Sequence, residues 1–86
     1  MSMRLPFKIH LPFGYAIRVV LTTDKGMLDV MDEDDKSELA DGLWDVDNRT
    51  IYVRRNLPFR RKVEVLGHEL DHAINDWRHW ARDHFW

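Results

Sequence analysis

A chain of 86 residues with 44% apolar side chains and a formal charge of −2 can bury one compact core. Those figures exclude a second domain, a disordered chain and a generally basic nucleic-acid-binding surface. There is no cysteine, so disulfides and thiolate ligands are excluded, and any metal must be held by His, Asp, Glu or water. The same lack fits a reducing cytoplasm. No apolar run reaches the roughly 20 residues of a membrane span. Arg4 and Lys8 precede an apolar stretch, but Pro6, His10, Pro12, Gly14 and Arg18 interrupt it too often for a signal-peptide core. One soluble domain over residues 1–86 is expected.

In chain order, residues 1–14 hold two Leu-Pro-Phe triplets and read as an irregular or extended lead-in. Tyr15, Ile17, Val19 and Leu21 alternate through 15–22, which predicts a strand. "TDKG" then signals a turn. Residues 29–41 carry seven acids and one lysine and read as a loop with one short helical turn at 37–40. Their spacing is no EF-hand, because the glycine required at the sixth position is missing. Leu43–Val46 and Thr50–Val53 flank Asp47-Asn48-Arg49, a turn-rich triplet, and predict a β-hairpin. Six bases and no acid lie between Arg49 and Lys62. They read as a solvated patch attracted weakly to the acidic run, rather than as a nucleic-acid contact.

Asn56 is the expected cap of a helix with Pro58 in its first turn. Val63, Leu66, Leu70, Ala73, Ile74 and Trp77 recur at spacings of three and four, predicting a helix from Phe59 to about Trp77. The tail 78–86 is aromatic and of mixed charge. The fold class that follows is α+β: a small antiparallel sheet of about three strands, including the hairpin, packed on one long helix. Trp44, Trp77, Trp80 and Trp86 are expected in its core.

The predicted helix contains "GHELDHAINDW" (67–77). At about 100° per residue, His72 stands roughly 40° from His68 and Glu69 about 100° from it, while the apolar set centres on the far side. Imidazoles one turn apart on a solvent-facing stripe can converge on one ion, with Zn–N bonds of roughly 2.0–2.1 Å. The carboxylate beside them can take a proton from a bound water and return it to a leaving amine. With five histidines and four glutamates, an HExxH arises by chance in roughly one chain in a hundred. Two surface histidines on a solvated helix is the plainer alternative. Gly67, inside the helix, suggests the close approach of another backbone.

At these residues the chain resembles the zincin metallopeptidases. "LGHELDHAINDW" is similar to their HExxHA helix, including the lethal-factor-like branch, where an aspartate and an aromatic follow the second histidine. Upstream, Gly42-Leu43-Trp44-Asp45 and then Thr50–Val53 are similar to the strands before the active helix in small phage-encoded and ImmA/IrrE-type zincins. The resemblance covers roughly residues 42–77. It implies zinc bound by His68 and His72, Glu69 as general base and acid, and a protein or peptide substrate paired along the hairpin's edge strand. It also implies a third protein ligand, which glutamate-type zincins supply from downstream, whereas no glutamate follows Glu69 here.

The third ligand therefore stays open between several residues. Asp76, about 6 Å further along an unbroken helix than His72, is better placed to accept a hydrogen bond from His72. His79 reaches the pair only if the helix breaks near Asn75, a residue that tolerates the left-handed conformation. His84, Asp83, His10, an acid from 29–47, a partner subunit or water complete the set. Glu64 flanks His68 and is expected to pair with Arg60 or Arg61. Two functions follow: a small zinc-dependent peptidase, or a catalytically silent zincin-like metal-binding protein with a regulatory or interaction role. Oligomeric state is not legible in the sequence.

Overall fold

The computed structural model describes residues 4–31 and 39–85. Its strands are β1 (Lys8–Leu11), β2 (Tyr15–Thr22), β3 (Gly42–Asp45) and β4 (Thr50–Arg54), and its helices are α1 (Asp24–Val30) and α2 (Phe59–Phe85). They form an α+β fold with a four-stranded sheet in the order β1-β2-β4-β3. One strand more than expected comes from the lead-in. Ile9 and Leu11 face inward while Lys8 and His10 face solvent, and the short strand hides in the sequence because Pro6 and Pro12 bracket it. A 3-10 turn, Pro12–Gly14, with positive φ at Phe13 (71°) and Gly14 (77°), reverses the chain so that Leu11 pairs with Tyr15.

The sheet is mixed rather than antiparallel. β2 and β4 run parallel, with Arg18 opposite Thr50 and Thr22 opposite Arg54, while β1 and β3 pair antiparallel with their neighbours. Parallel neighbours need a crossover, usually helical, and α1 supplies part of it. The "TDKG" read as a turn is that helix's start: Thr23 Oγ1 accepts from Gly26 N at 3.1 Å, and Asp24 sits in the first turn. The turn expected at 37–40 lies partly outside the described residues, and Leu39 and Ala40 have no regular structure.

The hairpin is where the sequence puts it. Asp45 pairs with Thr50 across a four-residue loop, and its carboxylate accepts from Asn48 Nδ2 at 2.7 Å and from Asn48 N at 3.3 Å. Arg49 takes a left-handed conformation (φ 50°), and its guanidinium lies 4.1 Å from the centre of the Tyr15 ring and 5.3 Å from that of Trp80.

α2 runs unbroken for 27 residues, through the tail as well as the expected span. Asn56 does not cap it. The Asn56 amide reaches Asp24 Oδ1 at 3.5 Å, and the Pro58 carbonyl accepts from Lys62 N at 3.0 Å. The core gathers Tyr15, Ile17, Val19, Ile51 and Val53 of the sheet against Val65, Leu66 and Ala73 of the helix, with Leu70, Trp44, Trp77 and Trp80 packed around them. Val63, expected inside, is exposed, and Val65 and Ala81 are buried instead. The buried positions drift around the helix as it crosses the sheet, so no single straight stripe describes them. Met27 and Met31 are buried apart from this core. Among the described residues, no helix is long and apolar enough to cross a membrane.

Candidate functional site

His68 and His72 project from α2 into solvent with ring centres 4.9 Å apart and planes nearly perpendicular. Both are exposed because the turn that carries them buries its opposite side, Leu66 and Ala73, in the core. Glu69 is half-buried, since its position on the helix turns toward the sheet. There it meets β3, the strand at the open edge of the sheet.

Gly42, the first residue of β3, sets the spacing between strand and helix. A methyl group there would overlap Val65 Cγ1 and come within 3.1 Å of Glu69 Cγ and 3.2 Å of the Tyr52 carbonyl oxygen. The close approach that Gly67 suggested is made at Gly42, because Gly67 has nothing within 4 Å of where its side chain would begin. Beside this contact lies an open groove of about 430 Å³, lined by Leu39, Asp41, Gly42, Arg61, Glu64, Val65, His68 and Glu69.

An ion network fixes the groove's width. Asp41 Oδ1 accepts from Arg54 Nη1 at 2.7 Å, tying the start of β3 to the end of β4. Its Oδ2 accepts from Arg61 Nη2 at 2.9 Å and Nε at 3.2 Å, tying the same point to α2. Arg61 also donates to Glu64 Oε2 at 3.2 Å, the pairing expected for Glu64, and Arg54 donates to Asp24 Oδ1 at 3.1 Å. The Arg61 hydrogen bonds, then those of Arg54, hold the Asp41 carboxyl below its ordinary range. The attraction between acidic run and basic cluster thus has a specific form: one aspartate gripped by two arginines from different elements.

The structure does not bring Asp76 or His79 to the histidine pair. Asp76 Oδ2 accepts from Trp44 Nε1 at 2.6 Å, so its partner is the indole of β3 and not His72. With α2 continuous through Asn75, His79 lies about 10 Å beyond His72 along the axis, and its Nδ1 is 3.4 Å from Arg82 Nη2. His84 Nδ1 is 2.8 Å from the Trp80 carbonyl oxygen, and Asp83 is 3.9 Å from Arg82. His10 stands on β1, at the opposite edge of the sheet from β3. Among the described residues, no group of three His, Asp or Glu side chains is arranged to hold a metal.

The donors in hand suit two nitrogen ligands to one divalent ion, two imidazoles one turn apart with unobstructed rings. Of these, His68 lines the groove together with the Glu69 carboxylate and Gly42, the first residue of β3. Two elements of this arrangement were not read from the sequence. Asp41 was submerged in the acidic run, and the Trp44–Asp76 bond joins residues 32 apart; the only local signal was Gly42 preceding an aromatic-acid pair. Comparison with known protein families, with curated proteins and with solved structures found no match.

Proposed function

We propose that this protein is a small metal-dependent peptidase in which His68 and His72 are two of the ligands to a zinc ion and Glu69 is the general base. The observation that carries this reading is the exposed imidazole pair of α2, of which His68 lines the same groove as the half-buried Glu69 and Gly42 at the start of the edge strand β3. A zinc ion held by the two histidines would supply a water of lowered pKa and a polarising charge. Glu69 would take that water's proton and deliver it to the leaving amine. β3 would orient an extended substrate by offering its unpaired backbone groups. Gly42 would let the strand lie close enough to α2 for the scissile bond to meet Glu69. The order of edge strand, inner strand and helix agrees with the layout that the zincin resemblance implies.

A second reading has its own observation. Asp76 is committed to Trp44 and His79 is held away by an unbroken helix, so the pair could serve a metal-binding or regulatory protein without turnover. Metal analysis of the purified protein beside Glu69→Ala and His72→Ala separates the two. The peptidase reading expects zinc in wild type and Glu69→Ala but not in His72→Ala, with cleavage of an unfolded protein substrate lost in both variants. Stoichiometric zinc without cleavage would sink it in favour of the silent metal-binding protein. No bound metal near neutral pH would undo both.

A further inference from the structure

A second groove, of about 370 Å³, lies away from the histidine pair and is lined by Arg4, Leu5, Phe7, Leu21, Phe59 and Lys62. On α2 the residues of the two grooves point in different directions. Phe59 and Lys62 stand roughly 100–160° around the helix from Arg61 and Glu64. Leu21 is the last inward-facing position of β2. Its predecessors Tyr15, Ile17 and Val19 are buried, while Leu21 is 41% exposed, Phe59 37% and Phe7 82%. The core therefore continues into an apolar trough that nothing among the described residues covers.

The trough's charge indicates what fits it. Among the described residues, no acidic side chain lines it. Among the described residues, neither Arg4 nor Lys62 makes an ion pair or a hydrogen bond to a carboxylate, whereas Arg54 and Arg61 nearby in sequence are fully engaged by acids. Arg55 and Arg60, which flank Phe59 in the chain, are likewise unpaired with carboxylates. Exposed apolar surface rimmed by one sign of charge marks a recognition site.

We infer that this trough is a docking site for a partner protein segment carrying an apolar side chain flanked by acidic residues. The apolar anchor fills the space lined by Leu5, Phe7, Leu21 and Phe59, and its flanking carboxylates meet Arg4 and Lys62. Its concavity suits an inserted side chain better than a flat lipid surface. This site is independent of the metal reading.

The test uses a labelled hexapeptide with a leucine–phenylalanine centre and two acidic residues on each side, titrated into the full chain by fluorescence anisotropy. Saturable one-to-one binding is expected, weakened by added salt and reduced at least about tenfold by Phe7→Ser and by Lys62→Glu. Both substitutions leave folding intact: Phe7 is largely in solvent, and an acid in the first turn of α2 favours the helix. Circular dichroism of each variant checks this. Equal binding of a peptide with lysines in place of the acids, or unchanged binding in both variants, would overturn the proposal. So would absence of saturable peptide binding, with capture by phosphatidylserine vesicles then marking a lipid surface and self-association that Phe7→Ser abolishes marking a second copy of the chain.

Discussion

Replacing either of two glycines by alanine should move stability in opposite directions. Gly67 lies inside α2, and a methyl there meets nothing within 4 Å, so it neither packs nor clashes. What remains is the backbone term: alanine is favoured over glycine in a helix interior by about 0.8–1.0 kcal/mol, largely because the unfolded chain loses freedom. For a domain of this size, each kcal/mol raises the melting temperature by about 4–8 °C, so Gly67→Ala should melt higher by that order. At Gly42 the methyl runs into Val65 Cγ1 and crowds Glu69 Cγ at 3.1 Å and the Tyr52 carbonyl at 3.2 Å. Two of these neighbours are buried or backbone atoms that yield poorly. Overpacking of this kind costs about 1–3 kcal/mol, and Gly42→Ala should melt correspondingly lower. Thermal unfolding followed by far-ultraviolet circular dichroism, in the presence of a chelator, measures both. A Gly67→Ala protein that melts below wild type would mean another backbone does occupy that side of the helix. Gly42→Ala melting at the wild-type temperature would mean β3 does not press on α2, and the groove beside Glu69 would lose its physical basis.

Other outcomes follow from the same contacts. Asp41 has a lowered carboxyl pKa in the folded protein, so its contribution is complete above the unfolded value of 3.8 and is lost as pH falls through the lower folded value. Asp41→Asn should therefore be less stable than wild type near neutrality and converge with it in strong acid; urea unfolding across that range reads the difference, and parallel curves would refute the pairing. Trp44→Phe removes the indole donor from Asp76 and should cost about 1–2 kcal/mol, since the bond ends on a charged but only partly buried group. A double-mutant cycle with Asp76→Asn tests it, and additivity within about 0.3 kcal/mol would mean the two side chains are not coupled.

The hairpin and the helix that carries the histidines were legible because their signals are local: a turn triplet between β-branched runs, and apolar residues three and four apart. β1 escaped because four residues between prolines carry too little alternation to register. The parallel pairing of β2 with β4 escaped for a different reason, since it joins Arg18 to Thr50 through a connection whose own helix opens on residues that equally suit a turn. At the site, His68, Glu69 and His72 were visible as a spacing, and so was the pairing of Glu64 with Arg61. Asp41 was not, and Gly42 was visible only as part of a strand motif, because the role of each rests on a neighbour from another element. For Asp76, helix geometry alone leaves open a place at the metal or a hydrogen bond from His72; the competing donor, Trp44, comes from a strand that helix geometry cannot see.

With 27 residues, α2 is about 40 Å long, while the five residues of β4 extend only about 17 Å. The sheet cannot support the whole rod. Its C-terminal turns rest on the start of β2 and on the turn before it, steadied by rings: Trp80 lies 5.0 Å from Tyr15, Phe85 lies 4.6 Å from Phe13, and Trp77 donates to the Pro12 carbonyl at 3.0 Å. Amide exchange along this helix should therefore be graded: slowest from Val65 to Ala73, intermediate to Ala81, and fast over the final turn. The histidine pair falls within the slow stretch. An ion bound there would grip the part of the rod expected to exchange most slowly, and its binding should leave exchange over the final turn unchanged.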